Sequence, residues 1–305
     1  MSIFKDNRTF DQISPDFMTE KAIELSRRTV IGYHTKVLCF SAWLSAQGLS
    51  GIPIRKISSE TMSRFFVFLS NDKNLDKPTV EKYFLHLRKL WQYCQKRNIV
   101  EKLPFDLLVM PQKKTDKSAM VIPQNDLTTL LTVIKEKDKQ LYLACMVQYY
   151  CFIRPGGELR LMKVGDIDFE NGVIKIPMLV AKNRSTEIVT MPQQLIDIFI
   201  EYGIDKADRE LFVFGKSKQP DTMPSSVNML RYRFNIVRDS LGMNKGYKLY
   251  SFKHTGASRL HASGISLREL MDQLRHTKLD ATQHYVKKHA GIINTRIRDN
   301  FPCPF

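Results

Sequence analysis

Six side chains in the later part of the sequence have the types needed to move a phosphoryl group without a metal: Arg154, Lys182, Lys253, His254, His276 and Tyr285. That chemistry needs a nucleophile, cations around the non-bridging oxygens, and an acid for the leaving oxygen. Arg154 stands in CFIRPGGELRLMKVGDIDF, Lys182 in AKNRSTEIVTMP, Lys253 and His254 in LYSFKHTGASRLHASGIS, and His276 and Tyr285 in LRHTKLDATQHYVKK. A tyrosine hydroxyl titrates near pH ~10, so it attacks phosphorus only where dense positive charge stabilises the developing phenolate. Each residue alone has an ordinary reading. Arg154 with Glu158 four positions on is a helix-end ion pair, a turn lysine is solvated, and a tyrosine at helical spacing is packing. Only their joint order argues for a site.

Those side chains need elements to hold them. Residues 141–153 are apolar on nearly every side, which predicts a buried helix ending at Arg154. Residues 172–177 and 187–191 read as two short strands, and the turn between them over 181–185 carries Lys182. A further helix is expected from about residue 123, with Asp126 as its acidic first-turn residue. The segment 225–241 is expected to bury Val227, Leu230, Phe234, Val237 and Leu241, and to present Asn228, Arg231, Asn235 and Arg238 on its other side.

The first third reads as helices only. In 29–44 the apolar residues Val30, Tyr33, Val37, Phe40 and Leu44 follow one helical face, and 59–69 turns Met62, Phe65, Phe66 and Leu69 inward. Residues 79–96 repeat the pattern with Val80, Phe84, Leu87, Trp91 and Cys94. Their opposite face carries Lys82, His86, Lys89, Tyr93 and Lys96, a stripe that suits contact with phosphates and equally suits plain solvation. Pro104 and the polar, basic run 110–118 then interrupt the helical pattern as a linker. The expected organisation is a helical domain over 1–110, a basic linker over 111–120, and a mixed α/β, mostly helical domain over 121–305.

Charge is the unusual bulk property. The 305 residues hold 47 Lys and Arg against 31 Asp and Glu, a net of +16. Residues 1–110 contain 17 basic and 11 acidic side chains, so the excess is shared by both parts. A polyanion is the simplest partner, and nucleic acid the commonest one. No apolar run is long enough to span a membrane, and the first residues lack the apolar core of a signal peptide. The five cysteines are odd in number, scattered and in no CxxC pair, which points away from disulfides or a zinc site and toward a reducing cytoplasm, with the nucleoid as the place of action.

In order and spacing, these motifs resemble the tyrosine recombinase (phage integrase) family. Its pattern has an Arg and Glu in a GLRxxEL…DID context, a hairpin Lys, an HxLRHT segment, an LGH segment and a Tyr nine residues later. Here stand FIRPGGEL…DID, AKNR, YSFKHT, LRH and Tyr285, with 28 residues from Arg154 to Lys182, 23 from Lys253 to His276 and 9 from His276 to Tyr285. The helical third is similar to the family's core-binding domain, and the wording around YSFKHTGA is similar to integrases and invertases of Bacteroidetes-type bacteria. The resemblance covers about residues 25–290.

It implies a C-shaped DNA clamp made of an all-α core-binding domain and a mixed α/β catalytic domain. It implies that Tyr285 takes the 3′ phosphate, Arg154 binds non-bridging oxygens, Lys182 protonates the 5′ oxygen, His276 acts at the phosphate, and Glu158 positions them. Lys253 falls where the family has a second arginine, and Tyr250 where it has a histidine, with neighbouring His254 as possible compensation. The extra residue between Arg154 and Glu158 implies a loosened loop or a displaced carboxylate. No cofactor is expected. Double-stranded recombination sites, a homotetramer on DNA, accessory factors, a four-way junction, and an exchange tail over 290–305 follow from the same resemblance. Lys82, Lys89, Lys96, Arg231 and Arg238 are the expected DNA contacts. Two alternatives stay open: DNA relaxation of the type IB topoisomerase kind, and a catalytically impaired DNA-binding protein.

Overall fold

The computed structural model describes residues 6–108, 110, 120–181, 185–277, 279 and 282. Two compact units divide the chain, Met1–Asp116 and Lys117–Phe305. The first contains α1 (Phe10–Glu24), α2 (Arg27–Ala46), α3 (Ser59–Asn71) and α4 (Lys77–Lys96). Starts are encoded locally. Thr9 and Gln12 exchange side-chain bonds with each other's backbone N–H at α1, and Ser26 and Ser58 cap α2 and α3. The four helices share an aromatic core in which Phe10, Phe65 and Trp91 surround Phe40, with Phe10–Phe40 and Phe40–Phe65 edge to face at 4.9 and 4.8 Å.

The second unit runs α5 (Gln124–Lys137), α6 (Lys139–Cys151), a π-helical turn (Pro155–Leu159), β1 (Ile167–Asp168), β2 (Val173–Ile176), β3 (Glu187–Thr190), α7 (Gln193–Glu201), α8 (Met229–Ser240), α9 (Ser251–Ala262) and α10 (Leu267–Leu274). The sheet is antiparallel in the order β1-β2-β3, with Val173 opposite Thr190 and Ile176 opposite Glu187. Helix α6 is the central element and packs on α5, α7, α8 and α9. It is buried nearly all round, as its uniform apolarity predicts. Gly256 lets α9 approach it, since a Cβ there would overlap the Tyr149 carbonyl oxygen. Among the described residues no helix is long and apolar enough to cross a membrane.

Several expectations change here. Helix α1 had no sequence signal strong enough to read, because Pro15 lies inside it and its apolar face is reduced to Phe10, Ile13 and Phe17. Helix α8 begins at Met229 rather than 225, and Val227 is 69% exposed rather than buried. Arg238 does not face outward. It is buried at the end of α8 and donates to the Tyr247 carbonyl at 2.9 Å, tying down the loop that returns over the helix. The stripe on α4 is also narrower than its spacing suggested: Tyr93 is buried, and His86 stacks on Tyr33 at 4.0 Å. Lys82, Lys89 and Lys96 remain exposed. Most of the expected linker, and the whole tail 290–305, lie outside the described residues.

Candidate active site

The C-terminal end of α6 sets the geometry. Phe152 adopts a left-handed conformation (φ 55°), which turns the chain out of the helix and brings Arg154 to the start of the π-helical turn. The Leu159 amide reaches back five residues to the Arg154 carbonyl at 2.9 Å. This wide turn takes up the extra residue between Arg154 and Glu158 and keeps the carboxylate against Arg154. Glu158 folds under Arg154 and accepts from its backbone N–H at 3.0 Å and its guanidinium at 2.5 Å.

A second guanidinium completes that carboxylate. Arg275, at the end of α10, donates to Glu158 at 2.9 Å and to the Phe152 carbonyl at 3.3 Å. Its other arm reaches Glu187, the first residue of β3, at 3.3 Å. Gln273 strengthens the same joint by pairing with both backbone groups of Thr190, at 3.1 and 2.7 Å. The end of α10 is thereby fastened to the strand that leaves the hairpin. Burial works against a charge on Glu158, but Arg275 first, and then Arg154, outweigh it and hold the carboxyl below its usual range.

Helix α9 brings the remaining groups. Lys253 is 1% exposed, and its Nζ has no hydrogen-bond partner. Burial, with Arg154 and Arg275 adding like charge, pushes its amine down to about 7. Its Nζ lies 5.9 Å from the centre of the Tyr250 ring. Tyr250 caps α9, and burial raises its phenol above the ordinary value, so it stays a neutral donor. The His254 ring meets Tyr250 edge-on at 5.0 Å. His276 follows Arg275 and shares a 2.9 Å hydrogen bond between Nδ1 and the hydroxyl of buried Thr282. The structure thus gathers Arg154, Glu158, Lys253 and Tyr250 from segments about a hundred residues apart. Lys182 and Tyr285 lie outside the described residues.

The match to family profiles follows the same division. The phage integrase family matches residues 120–291, more than half of the chain, and the phage integrase SAM-like domain matches residues 10–115. The chain belongs to the phage integrase family. It is thus a tyrosine recombinase, an enzyme of site-specific DNA recombination. The tyrosine recombinase of Pseudothermotoga lettingae is 24% identical over 265 residues, covering 86% of this chain and 88% of that protein. Tyrosine recombinase XerC of Bacillus subtilis is 19% identical over 290 residues, 92% of each. Among solved structures, the Tn1549 transposon integrase in complex with transposon right end DNA superposes with a TM-score of 0.76 at 16% identity, over 96% of this chain and 98% of that one. A lambda integrase dimer bound to a COC′ core site gives 0.76 at 12% identity, over 95% and 80%. At such identities the likeness is one of fold.

Against the phage integrase pattern, the residues missed in the sequence are Arg275, Glu187 and Gln273. A signal for Arg275 existed, because LRH puts a long cation where the family's LGH has glycine. The left-handed backbone at Arg275 (φ 57°) is the conformation a glycine would adopt at least cost. Arg275 accepts that strain in a position where it joins three elements.

Proposed function

We propose that the protein cuts and rejoins DNA at defined sites by transferring a DNA phosphate to Tyr285 and back. The observation that supports this reading best is the buried cluster in which Arg154 and Arg275 converge beside the unpartnered amine of Lys253. Cations held out of water with too few carboxylates around them suit a tetrahedral anion. In this reading the phenolic oxygen of Tyr285 bonds to phosphorus as its proton passes to solvent. The bond from phosphorus to the 5′ oxygen breaks, and that oxygen takes a proton from Lys182. Arg154, Lys253 and His276 stabilise the charge on the non-bridging oxygens, and Tyr250 donates a neutral hydrogen bond. Religation runs the same steps backward, so the phosphodiester energy is kept in the tyrosine linkage. The hydrogen bond shared by His276 and Thr282 ties down the chain three residues before the nucleophile.

Duplex DNA is the partner in this reading. Lys82, Lys89, Lys96 and Arg231 are exposed on α4 and α8 and suit the phosphate backbone. A lambda integrase has been solved as a tetramer bound to a Holliday junction. We extend that assembly to this chain: four protomers on two sites, with accessory factors able to set the direction of exchange. The decisive experiment uses nicked duplexes carrying inverted or attachment-type repeats sought in the DNA next to the gene. Denaturing gels are expected to show a protein–DNA adduct with the native chain and none with Tyr285→Phe, while gel shifts show binding by both. An undiminished adduct in Tyr285→Phe overturns the assignment.

A further inference from the structure

We propose that arrival of the scissile phosphate is coupled to the uptake of one proton from solvent, held on Nζ of Lys253. That the anion is a DNA phosphate rests on the function proposed above; the coupling itself rests on the geometry of α9.

Among the described residues of the cluster, Lys253 is the one whose whole polar group is buried and without a hydrogen-bond partner. Arg154 has Glu158, and Arg275 has Glu158 and Glu187. Both carboxylates already serve guanidiniums. A third positive charge here would be out of water, close to two like charges, and bonded to nothing. That is costly, so the amine releases its proton near neutral pH, as its lowered titration indicates. A phosphate reverses the balance. Its negative oxygens supply what the protein withholds, the Nζ lone pair takes a proton from solvent, and the ammonium donates to a non-bridging oxygen. No other bond is made or broken.

Charged groups face the amine from several elements. The π-helical turn presents Arg154 and Glu158, the end of α10 presents Arg275, and β3 presents Glu187. Its own helix presents Tyr250, with His254 packed on that ring. Helix α6, which packs on α9, ends at Cys151, whose thiol burial pushes well up. Tyr150 lies on the same helix, and burial raises its phenol above the ordinary value. Only Lys253 combines burial, a missing partner and a titration close to neutral among these described residues. An arginine in its place would keep its charge throughout, as guanidiniums do. The exchange of arginine for lysine therefore converts a fixed cation into one that switches on with its ligand.

The test follows the Lys253 side-chain NMR signal of the full chain, labelled with 13C- and 15N-lysine. Assignment comes from its loss in both Lys253→Arg and Lys253→Met, so one misfolded variant does not stop the experiment. Sulfate serves as probe, being a tetrahedral dianion that does not titrate near neutral pH. Without sulfate the signal is expected to titrate near pH 7, and saturating sulfate is expected to move the midpoint up by roughly 1–3 pH units, the usual effect of a close opposite charge. Calorimetry at mildly alkaline pH, in two buffers of different ionisation enthalpy, should count about one proton taken up per sulfate in the native chain and none in Lys253→Arg. An ordinary lysine midpoint in the free protein overturns the proposal, and so does a low midpoint that sulfate leaves in place. A shifting midpoint in a protein that forms no Tyr285 adduct would keep the proton-coupled anion site and remove the recombination chemistry.

Discussion

The second unit holds two buried charged clusters that differ in one respect, and the difference separates support from chemistry. In the first, Arg233 on α8 grips Asp138 with two nitrogens and gives a third bond to Gln140 at 2.8 Å. Gln140 in turn donates to the Gly215 carbonyl at 3.0 Å. One cation meets one carboxylate, and the polar groups are used up. In the second, among the described residues, Arg154 and Arg275 share Glu158, Arg275 also reaches Glu187, and the amine of Lys253 has no hydrogen-bond partner. A balanced buried pair has no further need and acts as a joint between helices. An unbalanced one suits an anion, which is the role the proposed recombination chemistry gives it.

Removing a carboxylate from each cluster breaks the comparison most forcefully. Glu158→Gln is expected to destabilise the fold by about 3–5 kcal/mol, because it replaces the carboxylate shared by buried Arg275 and half-buried Arg154 with a neutral amide. Asp138→Asn should cost a similar amount, leaving Arg233 with an amide. Urea unfolding measures both. The clusters then diverge: the double change Asp138→Leu with Arg233→Met replaces a satisfied pair by apolar volume and should be near neutral, whereas no such exchange at Glu158 and Arg154 would leave DNA cleavage intact. A Glu158→Gln chain as stable as the native one would show that water already shields the second cluster.

The next effect is smaller and carries the opposite sign. Lys253→Met removes a buried amine without a partner and is expected to raise stability by roughly 1–3 kcal/mol at pH 7 while abolishing the adduct. Its pH dependence has a definite direction. The folded amine titrates at about 7, and an unfolded lysine at about 10.4. Between those values the unfolded chain holds the extra proton, so the native fold gains stability relative to the methionine variant as pH rises through that window, and the advantage of the substitution shrinks. Below pH 7 both states are protonated and the penalty is fully present. Paired urea titrations at neutral and alkaline pH check the slope, and parallel curves would remove Lys253 from the titrating groups.

The sequence carried the segments of this site better than their joints. FIRPGGEL, YSFKHT and LRH are local strings, and the residues within them are fixed by helix ends that periodicity reveals. Arg275 was legible only as an anomaly, a cation in a glycine position, because its partners Glu158 and Glu187 are 117 and 88 residues away. Arg238 was misread for the complementary reason. Its spacing from Arg231 places both on one helical face, but the face is covered at one end by the loop that brings Tyr247 back over α8. In the first unit, Phe40, Phe65 and Trp91 were readable as inward residues from spacing alone. Helix α1 was not, since Pro15 and a thin apolar face hide a helix that tertiary packing completes.

The exposed cations give the outer reference for the two clusters and the smallest effects. Arg231 and Lys89 lie in different units and both face solvent. Their charges are solvated without a ligand, so neither strains the fold, and each alanine substitution should leave stability within about 0.5 kcal/mol of the native chain. Their contribution is expected only on duplex DNA, through released counterions. Each substitution is expected to lower the slope of log affinity against log salt by about 0.9, and the two together by about twice that, on any sequence. A slope unchanged in one variant would take that residue off the DNA path and leave its helix a solvated face. A loss of stability with an unchanged slope would place it with Arg238, as a residue whose charge holds the fold.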